Sequence, residues 1–231
     1  MKKRIQLFCL PFAGGSRASF KRLEQMLQPW IDVYTIEYPG RGTRINETFA
    51  DSWESLMEDV STQILSLRSL ELPFAILGYS MGAAIAYEML QYQMDEKPIH
   101  AFLCARGCGG RFDLPGELKS KEEAAIELQA LGGIDERIVN DKRLMNLFIR
   151  PVYEDYKLLN QYCYKKEMGM PNINFSVIYC EEDTSYSVVK EWNNRTTGQT
   201  EFFEMGHNHF FIRDCVEELA DIIQKNIFYN S

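Results

Sequence analysis

Ser80 stands in Gly78-Tyr79-Ser80-Met81-Gly82, with Asp183 and His209 downstream of it. A serine hydroxyl is a poor nucleophile at neutral pH. It becomes a useful one when an imidazole within hydrogen-bond reach takes its proton and a carboxylate holds that imidazole. These residue types, in the order Ser, Asp/Glu, His, suit acyl transfer through a covalent acyl-serine. The two glycines serve the same chemistry, because a sharp strand-to-helix turn that exposes the serine tolerates no bulk on either side.

There are three histidines to choose from. His100 precedes an apolar run at the far end of the expected sheet and reads as structural. His207 and His209 share the loop after the last expected strand, where such a base belongs. His209 is favoured because Phe210-Phe211 would wedge its loop against the core. The acid belongs after a strand between Ser80 and His209, and Glu181, Glu182 and Asp183 all end the run Asn174 to Cys180. A tetrahedral intermediate also needs N–H donors aimed at its oxyanion. One is expected from the amide of Met81, directly after the serine and at a helix N-terminus. The other is expected from the loop Phe12-Ala13-Gly14-Gly15, with Ala13 preferred and Phe12 the alternative.

Strands and helices must alternate to place these groups together. Arg4 to Leu10, Asp32 to Tyr38, the run into Ser80, Ala101 to Ala105, Asn174 to Cys180 and Thr200 to Met205 read as strands. Helices are expected at about 18–27, at Ser52 to Leu67, from Ser80 to about Tyr92, at Val188 to Trp192 and at Val216 to Ile227. Trp53, Leu56, Met57, Val60, Ile64 and Leu67 recur at helical spacing. The alternation predicts an α/β fold with a mostly parallel sheet covered on both faces. Between about 111 and 169 the pattern turns helical, at Ser120 to Leu131 and Asp141 to Cys163. A crossover needs only about a dozen residues, so this segment reads as a lid insertion in a single domain, 1–231.

The whole-chain numbers bound the function. The balance is 33 Asp and Glu against 25 Lys and Arg, a net charge of −8, which argues against general nucleic-acid binding. No apolar run approaches the ~20 residues that span a bilayer. Met1-Lys2-Lys3-Arg4-Ile5 is basic and then apolar, but Pro11 and Gly14-Gly15 interrupt the run, so it reads as a first strand. The six cysteines show no paired metal spacing, and Cys9, Cys104 and Cys180 lie in or at the end of apolar runs. The expectation is a reduced, cytoplasmic enzyme with neither metal nor cofactor.

Taken together, the motifs resemble the type II (external, editing) thioesterases of nonribosomal peptide and polyketide synthesis, members of the α/β-hydrolase superfamily. Leu10-Pro11-Phe12-Ala13-Gly14-Gly15-Ser16 is similar to that family's first oxyanion loop, and Tyr38-Pro39-Gly40-Arg41-Gly42 to its second. Leu131-Gly132-Gly133 and Arg150-Pro151-Val152-Tyr153-Glu154-Asp155-Tyr156 resemble its lid, and His209-Phe210-Phe211 its histidine motif. The 26 residues from Asp183 to His209 also suit the family, which selects Asp183 as the acid. Two departures stand out: Tyr79 replaces the usual histidine before the serine, and Asn208 replaces the second glycine before His209.

The resemblance implies hydrolysis of acyl thioesters held on the phosphopantetheine arm of a carrier protein, for editing or for product release. Such carriers are usually acidic. Docking on an acidic enzyme would need a local basic patch, for which Arg17, Lys21 and Arg22 after the first loop and Arg41 and Arg44 after the second are the candidates. A small carboxylesterase and a non-catalytic scaffold on the same fold are the competing readings.

Overall fold

The computed structural model describes residues 4–91, 96–108, 120–134, 142–162 and 169–228. Six parallel strands form one sheet: β1 (Ile5–Leu10), β2 (Ile31–Thr35), β3 (Phe74–Tyr79), β4 (His100–Cys104), β5 (Asn174–Tyr179) and β6 (Thr200–Glu204), in the order β2-β1-β3-β4-β5-β6. The helices are α1 (Lys21–Leu27), α2 (Trp53–Leu67), α3 (Met81–Met89), α4 (Lys121–Ala130), α5 (Lys142–Gln161), the short α6 (Tyr186–Val189) and α7 (Val216–Phe228). No helix among the described residues is long and apolar enough to cross a membrane.

Successive strand side chains point to opposite faces, and both faces are apolar here. Phe8, Leu10, Phe74, Ile76, Leu103, Phe175 and Val177 pack with α2, α3, α4 and α5. Leu7, Cys9, Ala75, Leu77, Phe102 and Ile178 pack with α1 and α7 on the other side. The Ser52 hydroxyl accepts from Ser55 N–H at 3.1 Å to start α2. The first expected helix differs: Arg17–Phe20 is a 3-10 turn and α1 begins only at Lys21. Residues 92–95, into which α3 was expected to run, lie outside the described residues.

This topology fixes where chemistry can occur. The chain leaves β1 through α1 on one face and β3 through α3 on the other, yet β1 and β3 are neighbours. A crevice opens outside the carboxyl ends of two strands whose connections diverge in this way. The loop after β1 and Ser80 after β3 both lie there. Helices α4 and α5 form the long connection between β4 and β5.

His100 opens β4, is buried and shares a hydrogen bond with Ser176 Oγ of β5 at 2.9 Å. Burial pushes its imidazole down to about 4. An unfolded histidine titrates near 6.5, so below that pH the unfolded chain takes up a proton that the folded chain refuses. Stability held at neutral pH is therefore lost as pH falls from about 6.5 toward 4. Between pH 7 and pH 5, wild type should lose about 2 kcal/mol more than His100→Gln in urea unfolding. Parallel losses in the two proteins would remove His100 from the account.

Candidate active site

Ser80 lies between β3 and α3 with φ 53° and ψ −112°, a conformation that an L-residue adopts only under constraint. The constraint is packing of α3 on the sheet. A Cβ on Gly78 would stand 2.1 Å from Gly82 O, and one on Gly82 would stand 2.0 Å from Leu10 O. Ser80 N–H donates to Cys104 O at 2.8 Å, which ties the turn to β4. The amide of Met81 opens α3, where N–H groups have no intrahelical acceptor.

The turn after β5 sorts the three acids. Asp183 Oδ2 is 2.8 Å from His209 Nδ1, and both side chains are about 10% exposed. Thr184 Oγ1 donates to the same carboxylate at 3.1 Å. Glu181 instead accepts from Tyr186 N–H at 2.8 Å, at the start of α6. Glu182 meets the Cys180 thiol at 3.1 Å and faces His207 at 3.7 Å. The His207 side chain is 93% exposed, so the rival base points away from Asp183 and into solvent.

The His209 loop is built to turn tightly. Gly206 has φ 69°, and Asn208 Oδ1 accepts from Phe210 N–H at 2.8 Å. The asparagine thus makes a local turn through its side chain where a glycine would turn by freedom alone. Phe210 and Phe211 are buried. Tyr79 OH donates to the His209 carbonyl at 2.7 Å, so the residue beside the serine holds the His209 loop. Ser80 Oγ and the imidazole are not hydrogen-bonded to each other in this structure. Such contacts often close only when substrate is bound.

Two amides of the first loop are committed within the protein. Gly15 N–H donates to Phe12 O at 2.8 Å, and Gly14 N–H donates to Asp155 Oδ2 at 2.7 Å. The Ala13 amide lies between these committed groups and Phe12. Asp155 comes from α5, which closes on the loop because Gly14 has no side chain: a Cβ there would stand 2.3 Å from Val152 Cγ2. Arg41 Nη2 donates to the other Asp155 oxygen at 2.6 Å, and Nη1 pairs with Oδ2. Tyr38 OH donates to Pro11 O at 3.0 Å. Helix α5, the loop after β1 and the turn at 39–41 are thereby joined at one buried carboxylate.

The thioesterase domain family description matches residues 5–227 of this chain. The chain belongs to the thioesterase domain family. It is a thioester hydrolase on an α/β-hydrolase fold. Among proteins similar to this thioesterase is the gramicidin S biosynthesis protein GrsT of Aneurinibacillus migulanus, 25% identical over 97% of this chain and 89% of that protein. Thioesterase PikA5 of Streptomyces venezuelae is 26% identical over 96% of this chain and 81% of that protein. Two solved structures have the same fold. ClbQ from the colibactin NRPS/PKS pathway superimposes with a TM-score of 0.86 at 24% identity, covering 97% of each chain. The type II thioesterase BorB from the borrelidin biosynthetic cluster gives a TM-score of 0.86 at 24% identity, covering 98% of this chain and 94% of that one.

The structure corrects one expectation for this thioesterase. Arg41 is not part of a surface patch: its side chain is 5% exposed and is paired with Asp155, itself 1% exposed. Arg44 is also engaged, with Asp59 at 2.7 Å and with Glu47. Arg22 donates to Arg213 O at 2.8 Å and to Glu217 at 3.0 Å. The second loop thus spends its cations on internal carboxylates.

The sequence offered a sign of this. Asp155 falls with Val152, Tyr156 and Leu159 on one face of α5, all of them buried. A carboxylate at a core position of an amphipathic helix calls for a buried cation. Tyr156, Leu158 and Leu159 of α5, and Tyr162 just after it, belong to the core. Phe148, together with the core residue Val152, lines a cavity of about 690 Å³ that begins at Phe12 and Ala13 and reaches Lys21 and Phe210.

Proposed function

We propose that this thioesterase hydrolyses acyl thioesters carried on the phosphopantetheine arm of carrier proteins of nonribosomal peptide or polyketide synthesis, clearing stalled carriers or releasing product. The observation that supports this most is the Asp183–His209 pair on a loop that Tyr79 fastens beside the Ser80 elbow. The names of GrsT and PikA5 and the pathways of ClbQ and BorB support the setting. The proposed cell compartment is the cytoplasm, and the five described cysteines, all free thiols, fit a reducing environment. The proposed architecture is one domain in which the segment of about 111–169 forms a lid.

In this reading Asp183 accepts from Nδ1–H of His209, which leaves the Nε2 lone pair for Ser80. Ser80 Oγ attacks the thioester carbonyl and its proton passes to His209. The amides of Met81 and Ala13 stabilise the oxyanion. As the C–S bond breaks, His209 returns the proton to the departing pantetheine sulfur. Water then attacks the acyl-serine and His209 takes its proton; as the acyl C–Oγ bond breaks, His209 returns that proton to Ser80 Oγ and the free acid leaves. The cavity that runs from Phe12 and Ala13 past Phe148 borders the first loop and is of mixed lining, with Lys21, Arg22 and Arg213 beside Leu23 and Val152; Ser80, Asp183 and His209 do not line it.

The test sets acetyl- and longer acyl-loaded carrier protein, read by intact mass, against a nitrophenyl ester. The expected kcat/KM is at least tenfold higher for the carrier thioester, a difference of ~1.4 kcal/mol or more in transition-state binding. Ester hydrolysis with the carrier untouched would move the function to a carboxylesterase. Turnover of neither, in folded protein, would favour a scaffold.

A further inference from the structure

Tyr79 occupies the position directly before Ser80, on the last residue of β3. Its ring is fully buried. It packs edge-on against Phe12 at 5.9 Å between centroids and in a tilted arrangement against Phe211 at 5.2 Å. A tyrosine can fill such a space with its ring alone. Here the hydroxyl is used twice on one loop. It donates to His209 O at 2.7 Å and accepts from Ile212 N–H at 3.3 Å. Both partners lie about 130 residues away in sequence, on either side of Phe210 and Phe211. Burial is the main cause that pushes the phenol well above its ordinary range, with the neighbouring Cys104 adding to it. The group therefore remains a protonated donor across the working pH.

We propose that Tyr79 is a positioning residue for the base: its hydroxyl fixes the backbone of the His209 loop to the Ser80 elbow and so sets the distance between nucleophile and imidazole. This rests on the Ser80–His209–Asp183 reading above. The geometry gives the reason. Asp183 holds the imidazole from the β5 side, at Nδ1. Nothing in that contact fixes the ring relative to Ser80, which stands on β3. The Tyr79 hydroxyl supplies the missing link, because the same residue that continues into Ser80 grips the carbonyl of His209. The bond is to main chain, so it positions the loop without touching substrate. Tyr79 also contacts Phe12, which places it against the first oxyanion loop.

The decisive variant is Tyr79→Phe, which keeps the ring and its packing and removes only the hydroxyl. Misplacing a reacting group by about 1 Å costs on the order of a hundredfold. The expected result is a ten- to hundredfold fall in kcat for acyl-carrier hydrolysis, with KM changed less than about twofold, and an equal fall in the rate at which a fluorophosphonate labels Ser80. Tyr87→Phe is the control. Tyr87 is buried, donates to Arg195 O at 3.4 Å and packs on Trp192, away from the base loop. It should keep wild-type kcat even where its Tm falls as far.

Should Tyr79→Phe not fold, 4-aminophenylalanine and 4-fluorophenylalanine at position 79 give the same comparison at matched size. The amino form, a donor, should stay within about threefold of wild type, and the fluoro form should fall as Phe does. Folded Tyr79→Phe with wild-type kcat and labelling rate would overturn the proposal. So would an equal loss in Tyr87→Phe, which would mark the effect as general destabilisation. If wild type failed to hydrolyse any thioester, the substrate reading would fall while the labelling rates still decided the role of Tyr79.

Discussion

Ser80→Ala should lower acyl-carrier hydrolysis on the order of 10⁴- to 10⁶-fold and abolish fluorophosphonate labelling, while the protein stays folded. The size follows from the proposed chemistry. Without the hydroxyl no acyl-serine forms, and what remains is the contribution of oxyanion donors and binding to direct attack by water. The substitution removes one buried oxygen and keeps the Cβ. The backbone at φ 53° will carry alanine, as Ala105 already holds φ 53° after β4. Melting temperature should therefore move by only a few degrees. A large fall in Tm together with activity would mean that Ser80 is structural, and retained hydrolysis would exclude it as the nucleophile.

Asp155→Ala should be the most destabilising single change considered for this chain, by about 3–5 kcal/mol. It leaves the Arg41 guanidinium, 5% exposed, without its bidentate partner, and it strips Gly14 N–H of its acceptor. At this chain length that corresponds to a fall in Tm of roughly 10 °C or more. Activity should fall on carrier thioester and nitrophenyl ester alike, because the disturbed group is the loop that carries Ala13. The pair Arg41→Met with Asp155→Leu separates the two effects. Replacing both charges by apolar groups should recover much of the stability, while Gly14 N–H stays unpaired and turnover stays low. If the double variant regained both, the carboxylate would have no part in holding the loop. If Arg41→Glu lost only carrier turnover and kept full ester turnover and Tm, the surface-patch reading of Arg41 would be restored.

How much of this was written in the sequence depends on the range of the interaction. The elbow is local: Gly78, Ser80 and Gly82 face contacts that any strand-turn-helix of this kind imposes, so their spacing could be read directly. The parallel sheet followed from apolar runs alternating with helical spacing. The start of α1 was misplaced because Arg17–Phe20 satisfies the same apolar pattern as a 3-10 turn, with Phe20 buried in both cases.

The longer-range features were not legible in the same way. Glu181, Glu182 and Asp183 are chemically alike and adjacent; only the family resemblance, through the spacing to His209, favoured Asp183, and in the structure the arrival of His209 from β6 separates them. Tyr79 stood out only as a departure from the family motif, since its bonds are to backbone groups of a distant loop and leave no side-chain pattern. Arg41 read as a surface cation because its partner lies 114 residues away on α5. The placement of Asp155 on an apolar helix face was the one local sign that a buried cation had to exist.

The most direct test of the central claim is a rapid-quench reaction of wild type with acyl-loaded carrier protein, followed by intact mass and peptide mapping of the enzyme. Transient acyl mass is expected on the peptide containing Ser80, appearing as the carrier loses its acyl group and decaying as free acid forms. None is expected on Ser80→Ala, whose carrier should stay loaded. Carrier deacylated at the full rate with no acyl mass at Ser80, or deacylated equally by Ser80→Ala, would contradict that claim.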